Sequence, residues 1–173
     1  MDSTMALPKG IYHDTIITAG GEIIDLGWRS NIVVDRCRFL LAGFMKGDAS
    51  FGIQRIQIGM GSAGWDDGTP PPQASDTMLT DPAPVTLPIA GTQISYLDAV
   101  GNATAGPTHR LEITLTLPAG TPAIPLGMTT YPMREFGLFG AFGAESYMID
   151  YVRHPVIHKR ADDALIRTIR LVF

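Results

Sequence analysis

"IQIGMGSAGWDDGTPPPQ", residues 56–73, decides between two folds. Gly59-Met60-Gly61-Ser62-Ala63-Gly64 fits G-x-G-x-x-G and follows an Ile-rich run with strand character. In a dinucleotide-binding unit this turn opens a helix whose aligned N–H groups hold a pyrophosphate. Here the chain continues Trp65-Asp66-Asp67-Gly68-Thr69-Pro70-Pro71-Pro72. Three prolines lack N–H donors and block helix propagation. The two aspartates put negative charge where phosphate would lie. The motif counts only when strand, turn and helix coincide, and the pattern offers no helix. The stretch therefore reads as a strand running into a long loop, 61–75, and no nucleotide or other cofactor is expected.

The flanking pattern agrees with an antiparallel fold. In "HRLEITLTL" (109–117), Leu111, Ile113, Leu115 and Leu117 alternate with polar residues, so one face is buried and one is wet. "IYHDTIITAGGEIIDLGW" (11–28) reads as two strands around a Gly20-Gly21 turn. Further strands are expected at 52–60, 92–100, 133–142, 145–152 and 164–173. One helix is expected in "NIVVDRCRFLLAGFMKGD" (31–48), capped by Asn31 or Asp35 and stopped by Gly47. Its apolar stripe comprises Val34, Cys37, Leu40, Leu41, Phe44 and Met45, and Gly43 inside it costs roughly 1 kcal/mol against Ala. Strands do not alternate with helices. The expectation is a mainly β protein: an antiparallel β-sandwich or jelly-roll-like domain over 11–173, one early helix, and an N-terminal arm at 1–10.

Composition narrows the function. The chain has 173 residues and a net charge of −4, which argues against a general nucleic-acid binder. No apolar run is long enough to span a membrane, and the N-terminus lacks signal-peptide character. A single cysteine, Cys37, rules out an internal disulfide or a multi-cysteine zinc site and reads as a buried hydrophobe. His154 and His158 have helical metal-ligand spacing, but Pro155 between them argues against a helix, and no metal is expected. Asp66, Asp67, Glu145 and Asp150 could imitate a glycosidase carboxylate pair, although sequence does not set their separation. No catalytic set emerges, so the chain is not expected to be an enzyme. Trp65 in a polar loop could pack locally, anchor a partner or stack on a sugar. Arg160, Arg167 and Arg170 concentrate positive charge near the C-terminus. Together with Trp65, Asp66 and Asp67 they are the candidate partner contacts.

Four motifs in order resemble a family of bacteriophage tail-associated structural proteins. Trp28-Arg29-Ser30-Asn31-Ile32-Val33-Val34-Asp35, with the helix ending LLAGFMKGD, is similar to that family's W-x-N-x-I-x-D-x-G…L-L-A segment. Ile56-Gln57-Ile58-Gly59-Met60-Gly61, a proline loop and Ala74-Ser75-Asp76-Thr77-Met78-Leu79 resemble its I-A-V-G-T-G strand and A-x-D-T-x-L turn. Arg134-Glu135-Phe136-Gly137-Leu138-Phe139 resembles R-E-x-G-L-F, and residues 156–173 resemble its D-D-x-L ending, with Ile169 where an aromatic is usual. The resemblance implies a virion component assembled in a bacterial host: a tail, baseplate or tail-fibre subunit whose partners are its own copies and other virion proteins. A glycan-binding fibre module, with a host-surface glycan as partner, and a head decoration or neck protein are the alternatives. Without the family, Asp76 and Thr77 still read as residues that fix the loop's return, and Gly137 as a close backbone approach.

Overall fold

The computed structural model describes residues 8–48 and 50–173. The chain runs β1 (Lys9–Ile17), β2 (Ile23–Val33), α1 (Asp35–Lys46), β3 (Ser50–Gly59), β4 (Val85–Pro88), β5 (Ile94–Leu97), β6 (Ala103–Thr104), β7 (Arg110–Leu117), β8 (Tyr131–Phe142), β9 (Glu145–Lys159) and β10 (Ala164–Val172). All ten strands join one antiparallel sheet, ordered β4-β3-β8-β9-β2-β1-β10-β7-β5-β6. The expected mainly β, antiparallel class with one helix is what the chain adopts. β4 and β6, only four and two residues long, are additions to the strands expected.

The sheet folds across itself at one seam. β2 meets β9 only through Ile32–Tyr151 and Val33–Asp150, whereas β1 pairs along its length with both β2 and β10. This short ladder lets the two parts of the sheet face each other. Tyr12 of β1 meets Phe136 of β8 edge-on, with ring centroids 5.3 Å apart. Ile56, Ile58, Met133, Phe136 and Leu138 on one side share a core with Ile113, Leu117, Leu165, Ile169 and Leu171 on the other. Each such side chain contributes about 1.5–3 kcal/mol on burial. The alternation foreseen in β7 holds, with Ile113, Leu115 and Leu117 buried.

β8 does not alternate; its first ten residues are all buried. The segment after the proline run lies across its second face, where Leu79 packs with Val34, Phe139, Met148 and Tyr151 in a second cluster. Gly137 is the close approach expected: a Cβ there would stand 3.0 Å from Leu79 Cδ1 and 3.1 Å from the Asp150 carbonyl oxygen.

The helix starts later than 31. Asn31 to Val33 belong to β2, and Val34 takes the N-cap position with no side-chain cap bond, so neither Asn31 nor Asp35 caps it. Gly47 ends it in the left-handed conformation with φ 84°. The buried residues are Cys37, Leu40 and Gly43, while Phe44 and Met45, expected in the core, are 70% and 83% exposed. Gly43 is where α1 touches the sheet, since a Cβ would come within 2.3 Å of Phe142 Cε2. Lys9 and Gly10, expected in the arm, open β1 instead. Residues 1–7 of that arm lie outside the described residues.

Candidate functional site: a latched loop and an apolar flank

The loop after β3 is held by buried polar groups. β8 and β9 lose register around Arg134, where Met133 pairs with Ile157 but Glu135 with Arg153. Such irregularities re-aim side chains, and here successive residues both serve the loop. Glu135, with no exposed surface, accepts from the N–H groups of Thr80 (3.0 Å) and Asp81 (2.7 Å) and from the Tyr151 hydroxyl. Asp81 extends the tie by accepting from the N–H groups of Met60 (2.8 Å) and Ala83 (2.9 Å). Arg134 grips the front of the loop, donating to both Asp66 oxygens (2.7 and 2.8 Å) and to the Met60 carbonyl (3.0 Å). That pairing lowers the Asp66 pKa below the ordinary carboxylate value. Burial, and then the bond to Glu135, push Tyr151 up to about 12.

The G-x-G-x-x-G glycines belong to this latch. A Cβ at Gly59 would stand 2.6 Å from Glu135 Oε1 and 2.9 Å from Asp81 Cβ. Gly61 has φ +56°, and a Cβ there would meet the Trp65 ring at 2.5 Å. The segment that follows is one short 3₁₀ turn, Ala63–Asp67. Asp76 closes the loop's return, accepting from Gln73 N–H (2.9 Å) and from Arg153 (3.3 Å). Thr80, rather than Thr77, brings a hydroxyl to the site, 3.3 Å from the Tyr151 hydroxyl. Two of the four sequence motifs therefore converge here from distant parts of the chain. A third meets β9 at the seam, where Asn31 Nδ2 donates to Asp150 (2.8 Å).

The candidate contact residues divide by exposure. Trp65 is half-buried, with the Arg153 guanidinium 5.1 Å from its ring centroid and Gly61 against its edge. Asp66, Asp67 and Arg160 are exposed, although Asp66 is engaged by Arg134. Arg170 is half-buried, bonded to Glu112 (2.7 Å) and lying over Trp28 at 4.7 Å. Arg167 is a correction. It lies wholly inside the sandwich, pairs with buried Asp14 through two bonds (2.7 and 2.6 Å), and stacks 3.9 Å from the Phe136 centroid. It has no surface to offer a partner.

The other candidates are dispersed. His154 is buried; its Nδ1 donates to the Pro155 carbonyl (2.8 Å) and Nε2 faces Arg167 (3.4 Å), and burial, aided by that cation, lowers its pKa to about 4. His158 is exposed and bonds Thr130 (3.0 Å). Asp150 is buried at the seam and raised to about 8 by desolvation, whereas Asp66 is exposed and paired with Arg134. Cys37 is buried and raised to about 11 by the same cause. Among the described residues no group of three or more His, Cys, Asp or Glu could hold a metal, and no helix is long and apolar enough to cross a membrane.

A second surface lies at the other end of β3. At 100° per residue, Leu41, Phe44 and Met45 share one flank of α1, and all three are exposed. The flank runs into a groove of about 560 Å³ whose walls include Cys37, Leu41, Phe44, Phe51, Ile94 and Phe173. Phe39, on the opposite flank, is 63% exposed. Sequence periodicity flagged most of these residues but assigned them to the core.

No protein-family model, no curated protein and no solved structure matches the chain.

Proposed function

We propose that the protein is a non-enzymatic structural subunit of a phage virion, placed in the tail, baseplate or tail fibre, and that it works through contacts with its own copies and with other virion proteins. The virion assignment rests on the four ordered motifs. One structural observation supports the assembly role: the exposed apolar flank of α1, with Phe44 and Met45 projecting and groove walls beyond them. Contiguous exposed apolar surface of this kind marks an interaction site. The helix carries Arg36, Arg38 and Lys46 beside Asp35, with Asp48 just past its end, so both signs of charge are present on it. A second copy can then meet it with complementary pairs in a symmetric interface. The glycan reading has less support, because the Trp65 ring is already occupied by Arg153 and Gly61.

The test is the double variant Phe44→Glu/Met45→Glu, followed by sedimentation velocity and urea denaturation. The expected result is loss of self-association with stability changed by less than ~0.5 kcal/mol, as for substitutions that touch no buried contact. Self-association undiminished in the variant, or a wild-type chain that stays monomeric and binds no virion component, overturns the reading.

A further inference from the structure

The turn between β5 and β6, residues 98–102, is tied by its own backbone. The Asp98 N–H donates to the Asn102 carbonyl (2.8 Å), and Asp98 Oδ1 accepts from the N–H groups of Val100 and Asn102 (2.9 Å each). Arg110, at the start of β7, fixes the turn from below, donating from Nη1 to the Asp98 and Ala99 carbonyls (3.2 and 2.7 Å). Between this turn and the paired ends of β1 and β10 lies a concavity of about 290 Å³, at the small end of ligand pockets. Three cations line it, Lys9, Arg110 and Arg170, against one acid, Asp98. That balance opposes the whole chain, which has 13 Lys and Arg to 17 Asp and Glu.

We propose that this concavity binds a carboxylate borne on a short aliphatic group, supplied by a free small acid or by a side chain of a partner polypeptide. The donors are positioned before any ligand arrives. Arg170 is held by its Nε bond to Glu112 (2.7 Å) and by the Trp28 ring, 4.7 Å away. Its Nη1 lies 3.4 Å from where a Cβ on Gly101 would stand, so the guanidinium reaches the turn. Among the described residues, Arg170 Nη1 and Nη2, Arg110 Nη2 and Lys9 Nζ make no hydrogen bond. Held guanidinium groups recognise carboxylate oxygens through charge-assisted bonds. Ile11, Val100 and Val172 add exposed apolar surface to the lining, which suits an aliphatic stem. Asp98 and Glu112 offset part of the positive charge, so one negative charge is matched better than the two of a phosphate. This inference stands apart from the virion reading, which rests on other residues.

The experiment titrates the isotope-labelled full chain with hexanoate and follows the amide signals of Val100, Gly101 and Val172 by NMR. Saturable shifts confined to the concavity are expected, with hexanamide, uncharged and of the same shape, binding about tenfold more weakly. Lys9→Gln should weaken hexanoate about threefold, the scale of an exposed charge. Val100→Asp, which sets a like charge beside the site, should weaken it about tenfold. Both side chains are exposed, Val100 by 81%, so the urea midpoint should not move in either variant. A capped peptide with one internal glutamate between leucines separates the sources: tighter binding than hexanoate assigns a partner polypeptide, and weaker binding a free acid. Hexanamide equal to hexanoate, inorganic phosphate tighter than hexanoate, affinity unchanged in both variants, or no saturable shift overturns the proposal.

Discussion

Glu135 and Asp150 are both completely buried, on neighbouring strands, yet their surroundings differ. Glu135 receives two backbone N–H groups and a tyrosine hydroxyl, and all its donors come from the loop or from the strand beside it. Asp150 receives one side-chain donor, Asn31 Nδ2, and a backbone bond from Tyr151, while its Oδ1 and the Asn31 Oδ1 have no partner. Desolvation then dominates, and the Asp150 pKa rises to about 8. The contrast separates two uses of a buried acid. At the latch the carboxyl group organises a loop by accepting from its backbone and hydroxyl donors. At the seam the acid is mostly neutral at pH 7, and its value lies in joining β2 to β9.

The largest expected effect comes from emptying the latch. Glu135→Ala leaves the buried N–H of Asp81 and the part-buried N–H of Thr80 without an acceptor, each costing about 1–3 kcal/mol, for a total near 4 kcal/mol. Urea denaturation measures the loss, and amide exchange at Thr80 and Asp81 should accelerate in step. Asp150→Asn, by contrast, keeps an acceptor for Asn31 and should change stability by less than ~1 kcal/mol at pH 6.5. Equal costs for the two substitutions would erase the distinction.

The seam is instead sensitive to pH. A carboxyl raised from 3.8 to about 8 by folding binds its proton more tightly in the native state, so its contribution falls as pH rises from about 4 to 8. His154, lowered from 6.5 to about 4, works oppositely: its contribution rises with pH over about 4 to 6.5. Each slope is about 1.4 kcal/mol per pH unit. The two cancel below 6.5, and only the Asp150 slope remains above it. Stability should drop by about 2 kcal/mol between pH 6.5 and 8, and Asp150→Asn should flatten that decline. A wild-type profile already flat across this window would mean that Asp150 is ionised and solvated.

This contrast also shows what a sequence can carry. β7 was legible because one face is wet, which leaves a period of two. β8 was legible as a strand but not as the latch's foundation, because the loop covers its second face and removes the alternation. Glu135 looked like one residue of a short motif; its backbone donors lie 54 and 55 residues away in the chain, and no local pattern connects them. Arg167 looked like part of a surface basic cluster, because nothing near it in sequence announces Asp14, 153 residues distant. Periodicity identified the apolar residues of α1 but not which flank the sheet would cover, so Phe44 and Met45 were placed inside. Gly43, read as a cost to the helix, is instead its contact point.

Two glycines sharpen the comparison with smaller effects. Gly59 lies beneath Glu135, where an added Cβ would be 2.6 Å from Oε1, and Gly10 lies beneath Asn31, where it would be 2.1 Å from Oδ1. By distance alone Gly10→Ala should hurt more. The mobility of the obstacle reverses that order. Glu135 is pinned by three donors and Asp81 by its own two, so Gly59→Ala must strain the latch, at about 2 kcal/mol for overpacking. Asn31 is anchored through its side chain by one bond to Asp150 and can swing aside, giving up about 1 kcal/mol. Denaturation midpoints of the two alanine variants measured at pH 6.5 decide the matter. If Gly10→Ala proves the more damaging, the seam amide is held as rigidly as the latch carboxyl group.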